Sequence, residues 1–253
     1  MTNAVTYRWT ASDGVELAYH EMGEGHPVIL VHGFVSDATI NWIKYGTAKA
    51  IADKGCRVIM PDLRAHGMSG KPHESRAYPE GILVRDLAEL VDYLGLGEFD
   101  LGGFSLGART TVGAIGRRML KPRRAFLGGM GLQGLEGWQK RREFFVDAID
   151  RFDEIKHGDP AFFTVAFMKT TKADIVALRQ LLMTFADAKD EWLANFTMPT
   201  LVICGEDDQD NGSAEALAEA LPDGEFAEIP GNHMSSVTQT EFGERLAEFL
   251  GRP

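Results

Sequence analysis

The sequence predicts an α/β protein: a largely parallel, eight-stranded sheet with helices on both faces and a helical insertion after the sixth strand. Three observations carry this. Apolar runs of strand length, such as Pro27-Val28-Ile29-Leu30-Val31 and Thr200-Leu201-Val202-Ile203-Cys204, are continuous rather than alternating, as strands covered on both faces must be. Segments between them place apolar residues at three-to-four spacing, so strand and helix alternate along the chain. Finally, the residue types that carry chemistry follow the strand-like runs directly, where ligands bind on such sheets.

Taken in order, Val5 to Thr10 and Val15 to Glu21 alternate apolar and polar positions around Ser12-Asp13-Gly14, a hairpin signal. The run ending at Val31 leads into His32-Gly33-Phe34, and a helical pattern from Trp42 to Lys54 closes at Gly55. Strand Val58-Ile59-Met60 runs into Pro61-Asp62-Leu63-Arg64-Ala65-His66-Gly67. A helix follows, with Leu83, Leu87, Leu90, Val91 and Leu94 on one side, and stops at Gly95. The next strand ends at Asp100-Leu101-Gly102-Gly103-Phe104, a helix is expected from Leu106 to about Leu120, and Ala125-Phe126-Leu127 forms the sixth strand. After the insertion come strand Thr200 to Cys204, helix Ala214 to Leu221, strand Glu225 to Ile229, and a last helix with Phe242, Leu246, Phe249 and Leu250 on one face.

Residues 133–195 break this rhythm. They hold seven of the fifteen phenylalanines together with Trp138 and Trp192, in mostly helical patterning. The expected organisation is a core of residues 1–132 and 196–253, with 133–195 as a helical cap. Most cap aromatics serve the insertion's own core, and roughly a third are expected to line a ligand cavity.

Composition bounds the function. A chain of 253 residues that is 44% hydrophobic can bury a sizeable core. A net charge of -11 repels polyphosphate, and the basic clusters, Lys140-Arg141-Arg142 among them, are short and interrupted, so nucleic acid is not an expected partner. No apolar run approaches the roughly 20 residues that span a bilayer, and the first residues lack a signal-peptide pattern, so no membrane association and a cytoplasmic location are expected. Cys56 and Cys204 sit inside strand-like runs as small hydrophobes, which supports neither a disulfide framework nor a cysteine metal site.

Gly103-x-Ser105-x-Gly107, between a buried strand and a helix, is the nucleophile-elbow pattern. A serine at unfavourable dihedrals crowds the positions two before and two after it, and glycine removes the clash. Alone the pattern is weak: with eight serines, about 0.1 accidental matches are expected. A serine hydroxyl also needs a base, and the base needs an orienting carboxylate. Acids follow the strand ending at Cys204 in Gly205-Glu206-Asp207-Asp208, with Asp210 also in reach, and His233 follows the next strand in Gly231-Asn232-His233. Serine, acid and histidine thus occur in the chain order of one fold.

With these residues in place, the chain resembles the α/β-hydrolase-fold superfamily, specifically its serine-nucleophile, esterase-like branch, over nearly its whole length. Its strand-to-loop His-Gly is matched by His32-Gly33-Phe34, its Asp-x-x-x-x-Gly-x-Ser loop by Asp62 to Ser69, its Gly-x-x-Asp by Gly205 to Asp208, and its terminal Gly-x-His by Gly231-Asn232-His233. Ala65 departs from the glycine common at its place. The resemblance implies that Ser105 is the nucleophile, His233 the base and Asp208 its orienting acid. It also implies that the backbone N-H groups of Phe34 and Leu106 form the oxyanion hole. Asp62 is expected to organise its loop, and His66 and His73 to be surface or pocket-rim groups.

The expected function is hydrolysis of a carboxylic ester, or a closely related acyl bond, of a small and largely apolar substrate through an acyl-enzyme, with neither cofactor nor metal. Thioester, lactone and carbon-carbon hydrolysis and perhydrolysis use the same constellation. The alternative is a ligand-binding receptor of this fold with slow or vestigial hydrolysis, which turnover separates from an enzyme. A serine nucleophile argues against epoxide hydrolases and haloalkane dehalogenases, which use aspartate. Gly129-x-Gly131-x-x-Gly134 matches a dinucleotide pattern but follows a late strand, and His20 and His26 are wrongly spaced for zinc on one helix. Oligomeric state has no sequence signal.

Overall fold

A computed structural model of the chain describes residues 4–252. Eight strands form one sheet: β1 (Val5–Thr10), β2 (Glu16–Met22), β3 (His26–Val31), β4 (Cys56–Asp62), β5 (Asp100–Phe104), β6 (Ala125–Gly128), β7 (Thr200–Gly205) and β8 (Gly224–Ile229). Their order is β1-β2-β4-β3-β5-β6-β7-β8. β1 and β2 form the expected hairpin, with Val5 opposite Glu21 and Thr10 opposite Glu16. β2 runs antiparallel to β4, and all later neighbours are parallel.

The continuous apolar runs are explained by what covers them. Val28 and Leu30 of β3 point to one side, where they meet Trp42, Ile51, Phe242 and Phe249. Ile29 and Val31 point to the other, against Leu87, Leu90 and Val91. A strand's side chains alternate between faces, so a strand buried on both faces has no position for a polar residue. The covering helices are α1 (Thr47–Ala52) and α8 (Thr240–Leu250) on the first side, and α2 (Ile82–Tyr93), α3 (Leu106–Gly116) and α7 (Ala214–Ala220) on the second.

Two helices are shorter than their apolar patterns suggest. The pattern from Trp42 to Lys54 divides into a π-turn, Thr39–Ile43, and α1, because Gly46 turns the backbone left-handed at φ 88° between them. α3 stops at Gly116, and Arg118 at φ 59° ends the turn that follows. Residues 133–195 contain α4 (Trp138–Asp150), α5 (Phe162–Thr170), α6 (Ile175–Leu182) and a 3-10 segment, Asp190–Asn195, but no strand among the described residues. Cys56 and Cys204 are free and buried, and no helix among the described residues is long and apolar enough to cross a membrane.

The chain order reverses direction at β3: β4 lies on one side of it and β5 on the other. The loops leaving β3 and β5 therefore diverge and open a crevice at the carboxyl edge of the sheet, the usual ligand position on such sheets.

Candidate active site

Ser105 occupies the turn from β5 into α3 at φ 53° and ψ -109°. A non-glycine residue in this region is strained by about 1 to 3 kcal/mol and persists only where its surroundings over-determine it. Here they do. The Ser105 N-H donates to the Gly128 carbonyl at 2.8 Å, and α3 packs so closely on β3 that a Cβ at Gly107 would lie 1.9 Å from the Val31 oxygen. A Cβ at Gly103 would meet Gly107 itself at 2.4 Å. The two glycines of the motif are required by backbone contact.

His233 reaches Ser105 from the loop after β8. Asn232 shapes that loop, its Oδ1 accepting from the N-H groups of Met234 and Ser235 at 3.0 and 3.1 Å. His233 Nε2 lies 3.0 Å from Ser105 Oγ, and Nδ1 lies 2.9 Å from Asp208 Oδ2. An ionised carboxylate only accepts, so Nδ1-H donates to Asp208 and Nε2 is the acceptor that faces the Ser105 hydroxyl.

Asp208 follows β7 and is buried. Burial acts to raise its pKa, but the His233 hydrogen bond and charge, the Asp210 N-H at 3.1 Å from Oδ1, and the Cys204 thiol hold it below the ordinary carboxylate value. The same neighbourhood, through burial first and the Asp208 charge second, pushes the Cys204 thiol up to about 12. Of the other acids in reach, Asp207 is exposed and spends its N-H on the Gly231 carbonyl. Asp210 is also exposed. Its carboxylate, that of Asp208 and a His233 nitrogen lie within 4.8 Å of one another, the one group of potential metal ligands among the described residues. Two of its three members already bond each other.

The loop after β3 is held from several directions. Asn41, on the π-turn, accepts the Gly33 N-H at 2.8 Å. His66 Nε2 accepts the Val35 N-H at 3.2 Å, and its Nδ1-H donates to the Arg64 carbonyl at 3.0 Å. His32 Nε2 accepts the Leu63 N-H at 2.9 Å, and its Nδ1-H donates to the Gly33 carbonyl at 2.8 Å. Both rings must be neutral to accept, and burial keeps them so: it lowers the pKa of His32 and takes that of His66 to about 3. The N-H groups on either side of Phe34 are thus committed. Those of Phe34 and Leu106 carry no hydrogen bond among the described residues. The loop also abuts Ser105, since a Cβ at Gly33 would lie 3.5 Å from Ser105 Cβ.

Asp62 organises its loop, accepting from Ala38 N-H at 2.9 Å, Met68 N-H at 2.7 Å and His20 Nε2 at 3.2 Å. Burial opposes its ionisation, but these donors take its pKa to about 2. Ala65 sits at φ 72°, a backbone that glycine adopts without strain. His73 is exposed and paired with Asp174. His66 is neither surface nor rim: it is 3% exposed, because its loop folds under Phe34 and the ring packs edge-on against both His32 and Phe34. The glycines of the dinucleotide-like pattern face protein. Asn211 Nδ2 donates to the Gly129 carbonyl at 2.8 Å, and a Cβ at Gly131 would meet the Gly212 oxygen at 2.3 Å.

Ser105 and His233 open into a cleft of about 830 Å³. Phe144, Phe145, Phe163 and Phe167, four of the nine aromatics in question, line it from residues 133–195, and Phe34 and Phe104 line it from the sheet side.

A family model described as alpha/beta hydrolase fold matches residues 26–114. The chain is 25% identical to the non-heme chloroperoxidase CPO-A1 of Kitasatospora aureofaciens, over 96% of this chain and 98% of that one. It is 26% identical to a 2-hydroxy-6-oxo-2,4-heptadienoate hydrolase of Pseudomonas putida, over 82% of this chain and 81% of that one. A thermophilic esterase from Thermogutta terrifontis superposes with a TM-score of 0.76 at 26% identity, covering 98% of both chains. Together with the sheet order, these likenesses show that the chain has the α/β-hydrolase fold.

Proposed function

We propose that the chain is a serine hydrolase that cleaves a carboxylic ester through an acyl-enzyme. The carrying observation is the unbroken line Ser105 Oγ to His233 Nε2 at 3.0 Å and His233 Nδ1 to Asp208 at 2.9 Å, with the serine on a strained turn that holds it against that line. In this reading Ser105 Oγ attacks the ester carbonyl carbon while His233 Nε2 takes its proton. Asp208 fixes the ring tautomer and stabilises the imidazolium. The oxyanion accepts from the Phe34 and Leu106 N-H groups, each donor contributing roughly 3 kcal/mol to the transition state. The alcohol leaves with the proton from Nε2, and water activated by the same nitrogen then releases the acid.

Residues 133–195 act as the lid in this reading, since they supply the far wall of the cleft. The two free, buried cysteines fit a reducing cytoplasm. The chemistry needs no cofactor. The relatives' printed activities, esterase and dienoate hydrolase, support hydrolysis.

The test is a panel of p-nitrophenyl esters of increasing acyl length, run on the wild type and on Ser105→Ala. Turnover by the wild type and its loss in the variant are expected. A variant that retains wild-type rates would overturn the mechanism, and binding without turnover would favour a receptor.

A further inference from the structure

The cleft wall is mostly apolar, yet four charged side chains line it: Glu136, Lys140, Arg141 and Asp210. Glu136, Lys140 and Asp210 are exposed, where water screens them. Arg141 differs. It projects from α4, is half-buried, and carries its guanidinium carbon 5.8 Å from the centre of the Phe145 ring.

One Arg141 N-H donates to the Asp210 carbonyl at 2.7 Å. No carboxylate lies within 4.0 Å of the guanidinium among the described residues, and its remaining donors have no protein acceptor there. Those donors are not sealed in the packing either, so they are left to the cleft. Asp210 connects this cation to the reacting groups, since its own N-H holds Asp208 Oδ1 at 3.1 Å.

A half-buried cation with spare donors is costly unless something pairs with it. A guanidinium fork matches a carboxylate in plane and in spacing. The chain's net charge of -11 repels anions as a whole, so a carboxylate drawn to this cleft needs a local cation. One guanidinium suits one negative charge.

We propose that Arg141 is a substrate-binding residue that selects esters bearing a free carboxylate. The substrate is then a half-ester or similar compound, with its ester at Ser105 and its anionic end on Arg141. This rests on the hydrolase reading and adds the substrate class to it.

The test compares two esters of equal chain length, p-nitrophenyl hydrogen glutarate and p-nitrophenyl pentanoate, on the wild type, Arg141→Met and Arg141→Lys. The expected wild type favours the glutarate in kcat/KM. The ratio between the esters falls at least tenfold in Arg141→Met and is partly restored in Arg141→Lys, which keeps the charge without the fork. Equal loss on both esters would overturn the proposal, because Arg141 would then only brace the Asp208 loop. A wild type that turns over pentanoate but not glutarate would also overturn it while leaving the hydrolase reading intact.

If neither ester is hydrolysed, the hydrolase reading fails and calorimetry decides the binding question. Ser105→Ala protein is then titrated with monomethyl glutarate, and affinity at least tenfold weaker in the Ser105→Ala/Arg141→Met protein supports the site. Equal affinity in the two proteins, or no binding, overturns it.

Discussion

His66 makes the loop beside Ser105 sensitive to acid. Its Nε2 accepts the Val35 N-H, and its other nitrogen carries the proton that bonds the Arg64 carbonyl. Protonation removes the acceptor and places a charge in a site 3% exposed. Burial, with repulsion from His32 second, takes the folded pKa to about 3 from an ordinary 6.5. Because the folded value lies below the unfolded one, the unfolded chain takes up the proton first. Stability from this group is therefore complete above pH 6.5 and falls as pH drops toward 3. At pH 5 the interval from 6.5 corresponds to a loss of about 2 kcal/mol. His32 pushes in the same direction. Asp62 stays out of this window, since its contribution is lost only between 3.8 and about 2. The assay is urea unfolding of the wild type and His66→Gln at pH 7.5 and pH 5. Glutamine can accept from Val35 and donate to Arg64 without titrating. The wild type should lose about 2 kcal/mol more than the variant between the two pH values, whatever the variant's own starting stability. Parallel losses would show that His66 is not the group that titrates in this window.

Two further outcomes separate the roles at the site. Asp208→Asn should lower kcat on the order of 10⁴-fold, because the amide can stabilise the tautomer that leaves Nε2 protonated, whereas Asp207→Asn should leave kcat unchanged. Equal losses measured on one p-nitrophenyl ester would remove Asp208 from its assigned role. Asn41→Ala strands the buried Gly33 N-H, at a cost of about 1 to 3 kcal/mol in stability. By loosening the loop that carries the Phe34 N-H, it should also lower kcat at least tenfold with little change in KM. A drop in Tm with kcat intact would show that this loop does not hold the oxyanion.

Much of the arrangement was legible in the residues. β3 and β7 are apolar at every inner position because both faces are covered, and that character can be read without coordinates. The paired glycines around Ser105 are equally local, since the need to omit a Cβ is imposed by backbone a few residues away in space and leaves a fixed spacing. Helix lengths were less legible. Apolar periodicity passes through Gly46 and past Gly116, but left-handed backbone at Gly46 and Arg118 interrupts the helices there.

Asn41 and His66 left no such mark. A polar side chain that will be buried is identical in sequence to one that will be solvated, and the difference lies in which N-H the fold brings to it. Arg141 shows the same limit. In the chain it is one of three consecutive basic residues, and only the docking of α4 over the crevice turns this one toward the cleft while Lys140 stays at the exposed rim. By itself the sequence determined the sheet, the elbow and the order of serine, acid and histidine, because these depend on contacts whose spacing is written along the chain. The tertiary structure alone decided which histidines are neutral supports, which N-H groups stay free, and where the cleft carries its charge, because each depends on desolvation by segments distant in sequence.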